Sequence, residues 1–253
     1  PRFTSSDLRA PEGYADYLRT ATARSLERCG TDRFDLLMLH NPDETGFTSE
    51  VVWEGLRSLK DQGMTARLGI APGPANGFVL DVIDCCERYG EVIDWAMLIL
   101  NPLEPWPVGL ALPACEKHGV KVLTRVVDHG GLFHGDLAED HVFKPGDHRT
   151  FRPQGWVGHG MDKIVRMLPT ATKHGLSLME LAAIWNLSHP AVESLVPTFM
   201  QEVGEGARPI EEKIRQFANL PTGLRLTADE VDEIRRIGDN TGCMMLKGAS
   251  KRH

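Results

Sequence analysis

The sequence contains no apolar run near the ~20 residues that a membrane-spanning helix needs. Its opening, Pro1-Arg-Phe-Thr-Ser-Ser6, lacks the basic-then-apolar order of a secretion signal. Basic charge is in deficit: 28 Lys and Arg stand against 35 Asp and Glu, a net charge of −7. Broad binding to a phosphate backbone needs a basic patch, so neither nucleic acid nor a membrane is an expected partner. Cysteine is sparse. Cys29, Cys85, Cys86, Cys115 and Cys243 are odd in number and form no CxxC spacing. That argues against disulfide and zinc frameworks and for reduced thiols in a cytoplasmic protein. The GxGxxG fingerprint of a doubly wound nucleotide-binding sheet is missing. No low-complexity tract or long linker divides the chain, so residues 1–253 are expected to form a single domain.

What is present is an alternation of helical and strand-like segments, with 42% hydrophobic residues to build a core. Apolar periodicity and glycine stops predict helices over 15–29, 49–60, 78–89, 110–118, 161–174, 178–187, 210–218 and 228–237. The last is introduced by a Thr227-Ala-Asp-Glu230 capping box. Strands are expected over 34–40, 66–71, 95–100, 120–127 and 192–196, the third buried on both faces. Residues 128–160, rich in Gly, His and Pro, are expected to be irregular. Strands separated by helices imply a parallel sheet with right-handed crossovers, and without GxGxxG a (β/α) barrel fits better than a doubly wound sheet.

Two groups of residues carry chemistry. The segment Thr31-Asp-Arg-Phe-Asp-Leu-Leu-Met-Leu-His40-Asn-Pro-Asp43 is a short apolar run ending on a histidine and stopped by a proline. His40 thus stands at a strand end, where parallel α/β proteins bind ligands; the alternative is a buried histidine bonded to backbone. Asp128, His129 and His134 form the second group. Two imidazoles and a carboxylate can ligate a metal, or act as acid and base in an elimination or isomerisation, or belong to a solvated loop. Trp106 and Trp156 either line a substrate pocket or pack on outer helices.

Several motifs together resemble the aldo-keto reductases. They are Arg24-Ser-Leu-Glu-Arg-Cys-Gly30, His40-Asn-Pro-Asp43, Gly69-Ile-Ala71, Asn101-Pro-Leu103, Val122-Leu-Thr-Arg125, Gly131-Leu-Phe-His-Gly135, Asp147-His-Arg149, His189-Pro-Ala-Val-Glu-Ser-Leu-Val-Pro197 and Gly206-Ala-Arg208. The resemblance covers nearly the whole chain but only the family's later two thirds. It implies a (β/α)8 TIM barrel of aldo-keto reductase type, with the five strands standing for the fourth to eighth and the N-terminal βα units missing from this chain. It further implies an NADP-dependent oxidoreductase that reduces a carbonyl or oxidises a sugar-like alcohol, with a small-molecule partner of that kind. His40 would be the catalytic-site histidine; the family's Asp, Tyr and Lys precede it, and Tyr14, Tyr17 and Tyr89 fall in or beside helix segments. The cofactor would meet Asn101, Arg125, Gly131, Leu132, Arg208, Glu212 and Gln216, with Arg208 suited to a 2′-phosphate. Ala71 and Pro72 stand where the family has the Ser and Asn that hold the nicotinamide carboxamide, and Met97 where it has a glutamine. Those departures keep open a cofactor-independent or metal-dependent lyase or isomerase on the same barrel. The oligomeric state is left open.

Overall fold

The computed structural model describes residues 11–42, 44–72, 76–198 and 209–244. Five strands, β1 (Leu37–His40), β2 (Leu68–Ala71), β3 (Trp95–Ile99), β4 (Lys121–Arg125) and β5 (Val192–Val196), form one sheet in chain order, as a barrel wall requires. Before, between and after them run α1 (Tyr14–Cys29), α2 (Glu44–Thr48), α3 (Glu50–Asp61), α4 (Val79–Tyr89), α5 (Leu112–Lys117), α6 (Trp156–Lys173), α7 (Leu178–Leu187), α8 (Ile210–Ala218) and α9 (Ala228–Gly238). The chain forms two compact units, one made of the chain up to Leu98 with Leu110–Val122, the other of Ile99–Gly109 with Leu123–Met245.

In the first unit β1 and β2 pair in parallel from Leu37↔Leu68 to His40↔Ala71, and β2 pairs with β3 through Gly69↔Trp95. Apolar side chains at Leu37, Leu39, Leu68, Ile70, Ala96 and Leu98 are buried, which is what drives these short runs into a sheet. Ser49 caps α3 by accepting from the Val52 amide. Helix α1 buries Leu18 against α3 at Gly55, where a Cβ would lie 2.9 Å from Leu18 Cδ1. In the second unit α7 is apolar on all sides and almost wholly buried from Met179 to Leu187, with Trp185 donating to the Val231 carbonyl of α9.

Several expected boundaries moved, three of them for a visible reason. The first strand is regular only from Leu37, because a bend at Asp35 leaves Phe34 as a single bridge to Thr65. The fourth strand stops at Arg125, since Val126 turns to φ +62°, a left-handed conformation that a β-branched residue rarely adopts. Helix α6 starts at Trp156, five residues before the expected 161, because its first turn contains Gly158 and Gly160, which read as loop. Burial of β3 on both faces is reached only at its carboxyl end: Ala96 and Leu98 on one face and Ile99 on the other are buried, while Trp95 and Met97 are half-buried.

Candidate functional site

His40 is the last residue of β1 and is exposed. Asn41 then adopts φ +47° and its amide donates to the Ala71 carbonyl at 2.7 Å, closing the strand at that point. The buried Pro42 ends the run as its missing amide dictates. His40 therefore stands at the carboxyl edge of the sheet beside Ala71, the residue with which it is in register. Neither Ala71 nor Pro72, at the adjacent strand end, carries a polar side chain.

The second unit holds a buried polar network after β3 and β4. Asn101 is fully buried; its amide nitrogen donates to the Val126 carbonyl at 3.0 Å and to Glu104 Oε2 at 3.3 Å, and its oxygen accepts from the Leu103 amide at 3.1 Å. The side chain thus fixes the chain that follows β3. His129 is 0% exposed, with Nε2 3.0 Å from Arg152 Nη1 and Nδ1 3.6 Å from Glu104 Oε2. Burial, helped by the Arg152 charge and opposed by Glu104, pulls its pKa down to about 4. A neutral imidazole accepting from Arg152 at Nε2 carries its proton on Nδ1, on the side of Glu104. Arg152 in turn lies over Trp156 at 4.8 Å, Trp156 stacks on Phe143 at 5.7 Å, and Phe143 carries Arg149 at 4.7 Å. Arg149 is locked by a buried bidentate pair with Asp147, at 3.0 and 2.6 Å. Arg125, half-buried at the end of β4, has its pKa lowered by desolvation against the pull of Glu104.

The side chains of Asp128 and His134 are also buried rather than solvated; His134 Nε2 lies 3.7 Å from Asp128 Oδ2. His129 faces Arg152 and Glu104 instead, so the three side chains do not converge as metal ligands. Among the described residues no group of three His, Cys, Asp or Glu side chains could hold a metal. Trp156 is buried in the network rather than lining an open pocket, and Trp106 is half exposed.

The residues expected to meet a dinucleotide are only partly suited to it. Val126, His129, Gly130 and Gly131 all have positive φ, giving the loop a sharply coiled path. Yet the amides of Gly131 and Phe133 donate to the Asp128 carbonyl, and that of His134 to Gly131. The open sides of both glycines are covered: a Cβ on Gly130 would lie 3.2 Å from Arg152 and 3.3 Å from Trp156, and one on Gly131 3.5 Å from Arg149. Leu132 is buried in the short 3-10 turn Leu132–His134. The loop is thus packed on Arg149 and Arg152, which leave cationic charge beside it, whereas with Asn101 bonded internally and Met97 apolar the nicotinamide carboxamide finds no partner in these two residues. Glu212 and Gln216 lie one turn apart on α8, exposed and half-buried. Arg208 lies outside the described residues.

Sequence reasoning missed Glu104 and Arg152. Glu104 had a signal, a carboxylate held between Leu103 and Pro105 in an otherwise apolar stretch; Arg152 had none, since it reaches His129 from 23 positions away.

A family model described as "Aldo/keto reductase family" matches residues 8–237. D-threo-aldose 1-dehydrogenase from a Pseudomonas species is 26% identical over 228 residues, 86% of this chain and 63% of that protein. A glycerol dehydrogenase structure from Gluconobacter oxydans superposes with a TM-score of 0.70 at 21% identity, covering 96% of this chain and 69% of that one. An aldo/keto reductase from Klebsiella pneumoniae, solved with NADP and acetate, gives 0.59 at 17% identity over 92% and 68%. The chain spans less than two thirds of the length of the first curated relatives it matches.

Proposed function

Since this chain belongs to the aldo/keto reductase family, we propose that it acts in an oxidoreductase that interconverts a small carbonyl and an alcohol of sugar or polyol type, with NADP as the dinucleotide. The observation that carries this reading is His40 at the carboxyl edge of β1, exposed and held by the Asn41 turn. In this reading an imidazole N–H of His40 donates to the reacting oxygen, orienting it and favouring negative charge on it. Relatives named for an aldose and for glycerol support a hydroxylated substrate. Neither Tyr89, which donates its hydroxyl to the Thr48 carbonyl at 2.8 Å, nor Tyr14, buried in α1, is offered as the proton donor.

The apolar side chains of Ala71, Pro72 and Met97, where polar partners of the carboxamide are expected, favour a second reading, a cofactor-independent lyase or isomerase. Titration of NADPH with the full-length protein separates them. Quenching of the nicotinamide fluorescence at micromolar protein, with NADPH-dependent aldehyde reduction, is the expected result. Turnover of a hydroxylated substrate without any nicotinamide establishes the second reading instead.

A further inference from the structure

The first unit opens a cleft of about 320 Å³ where β2, β3 and β4 begin, at the ends opposite the one on which β1 stops at His40. That volume is at the lower end of the ~300–1,000 Å³ that small-molecule sites occupy. Arg67 stands just before β2 and Asp94 just before β3, while Trp95 and Lys121 open β3 and β4. The Asp94 amide donates to the Leu68 carbonyl at 2.9 Å and the Lys121 amide to the Asp94 carbonyl at 3.0 Å, so backbone bonds hold these positions side by side. Trp95 is half-buried, and its ring carries Lys121 Nζ at 5.7 Å from the centroid.

The sign of the cleft depends on which of its charges are already engaged. Glu91 accepts from Arg57 at 2.7 Å; Asp94 accepts from Lys60 at 3.0 Å and from the Leu68 amide at 2.8 Å. Arg57 and Lys60 both lie outside the lining. His118 stands 3.0 Å from Glu87, a carboxylate also outside it. The last carbonyls of α4 and α5 would draw cations, but returning amides take them. Val92 and Ile93 bond to Tyr89, Val120 to Cys115 and Gly119 to Glu116. Arg67 is exposed, and among the described residues no carboxylate pairs with it.

We propose that this cleft binds a small organic phosphate, a phosphomonoester dianion. The Arg67 guanidinium pairs two phosphate oxygens through its fork, Lys121 adds a second positive charge, and the organic body of the ester lies along Trp95. On a chain of net charge −7, these local charges rather than the overall field draw the anion.

Isothermal titration of the full-length protein with phenyl phosphate at pH 8, where the ester is a dianion, tests this. The expected result is one saturable site, weakened about tenfold by Arg67→Gln and by Lys121→Gln. Arg57→Gln, which releases Glu91 toward the ligand, weakens it too, whereas Arg235→Gln on α9 and His40→Ala leave it unchanged. Arg57, Arg67, Lys121 and Arg235 are all exposed, so none of these changes empties the core. Absence of saturable binding, an undiminished affinity in Arg67→Gln, or loss of binding in His40→Ala overturns the proposal. So does inorganic phosphate binding more tightly than the ester, which would assign the cleft to the free ion.

Discussion

A histidine held neutral by its surroundings gives the second unit a pH dependence of its own. His129 has a folded pKa of about 4, against an ordinary value near 6.5. Between those values the unfolded chain binds the proton more readily, so stability is fully present above about pH 6.5 and declines as the pH falls toward 4. His129→Gln, which keeps an acceptor for Arg152, is expected to flatten this part of the urea-midpoint profile. The buried character of His129 was not legible in the sequence, where Asp128-His-Gly-Gly131 reads as a polar turn. Its burial follows from Trp156 and Arg152, which close over it from residues that no local pattern connects to it. His40 was legible for the opposite reason: a strand end and its proline stop are local features.

Helix termini account for much of what the sequence made readable. Thr227 and Glu230 form the reciprocal capping box of α9, as the Thr-x-x-Glu spacing required. Glu230 also accepts from Lys173 at 2.6 Å and lies 2.8 Å from His174 at the end of α6, contacts that bring its pKa down to about 2. A depressed carboxyl stabilises the fold above its unfolded pKa near 4.5, and that stability is lost as pH falls from there toward 2. Glu230→Gln is expected to remove this acid-side slope and to cost about 1 kcal/mol at neutral pH, measured by urea unfolding. The start of α6 was unreadable because Gly158 and Gly160 answer to packing rather than to local propensity. A Cβ on Gly160 would lie 2.2 Å from Leu132 Cδ2. Gly160→Ala should therefore lower stability by about 1–3 kcal/mol in spite of alanine's helix preference, and a stabilised variant would contradict the close approach. Lys163 marks another such tertiary end: its ammonium donates to the Gly238 and Thr241 carbonyls where α9 stops.

At the scale of the molecule, five strands in chain order, parallel where β1, β2 and β3 pair, and their alternation with helices were legible, since both rest on hydrophobic period and glycine punctuation. The division of the chain into two compact units was not. It depends on long-range contacts, such as the Asn240 side chain pairing with the Trp106 backbone across 134 positions, which leave no trace in local pattern. Function was legible only as far as the family: the motifs that carry the resemblance surround His40, while the residues that would grip a cofactor depart from it at Ala71, Pro72 and Met97. The central claim is that this aldo/keto reductase chain contributes His40 to carbonyl chemistry. The most direct test is NADPH consumption by the full-length protein with a short hydroxylated aldehyde, wild type against His40→Ala. The account predicts a loss of about 100-fold in kcat/KM. Equal rates for the two proteins would contradict it.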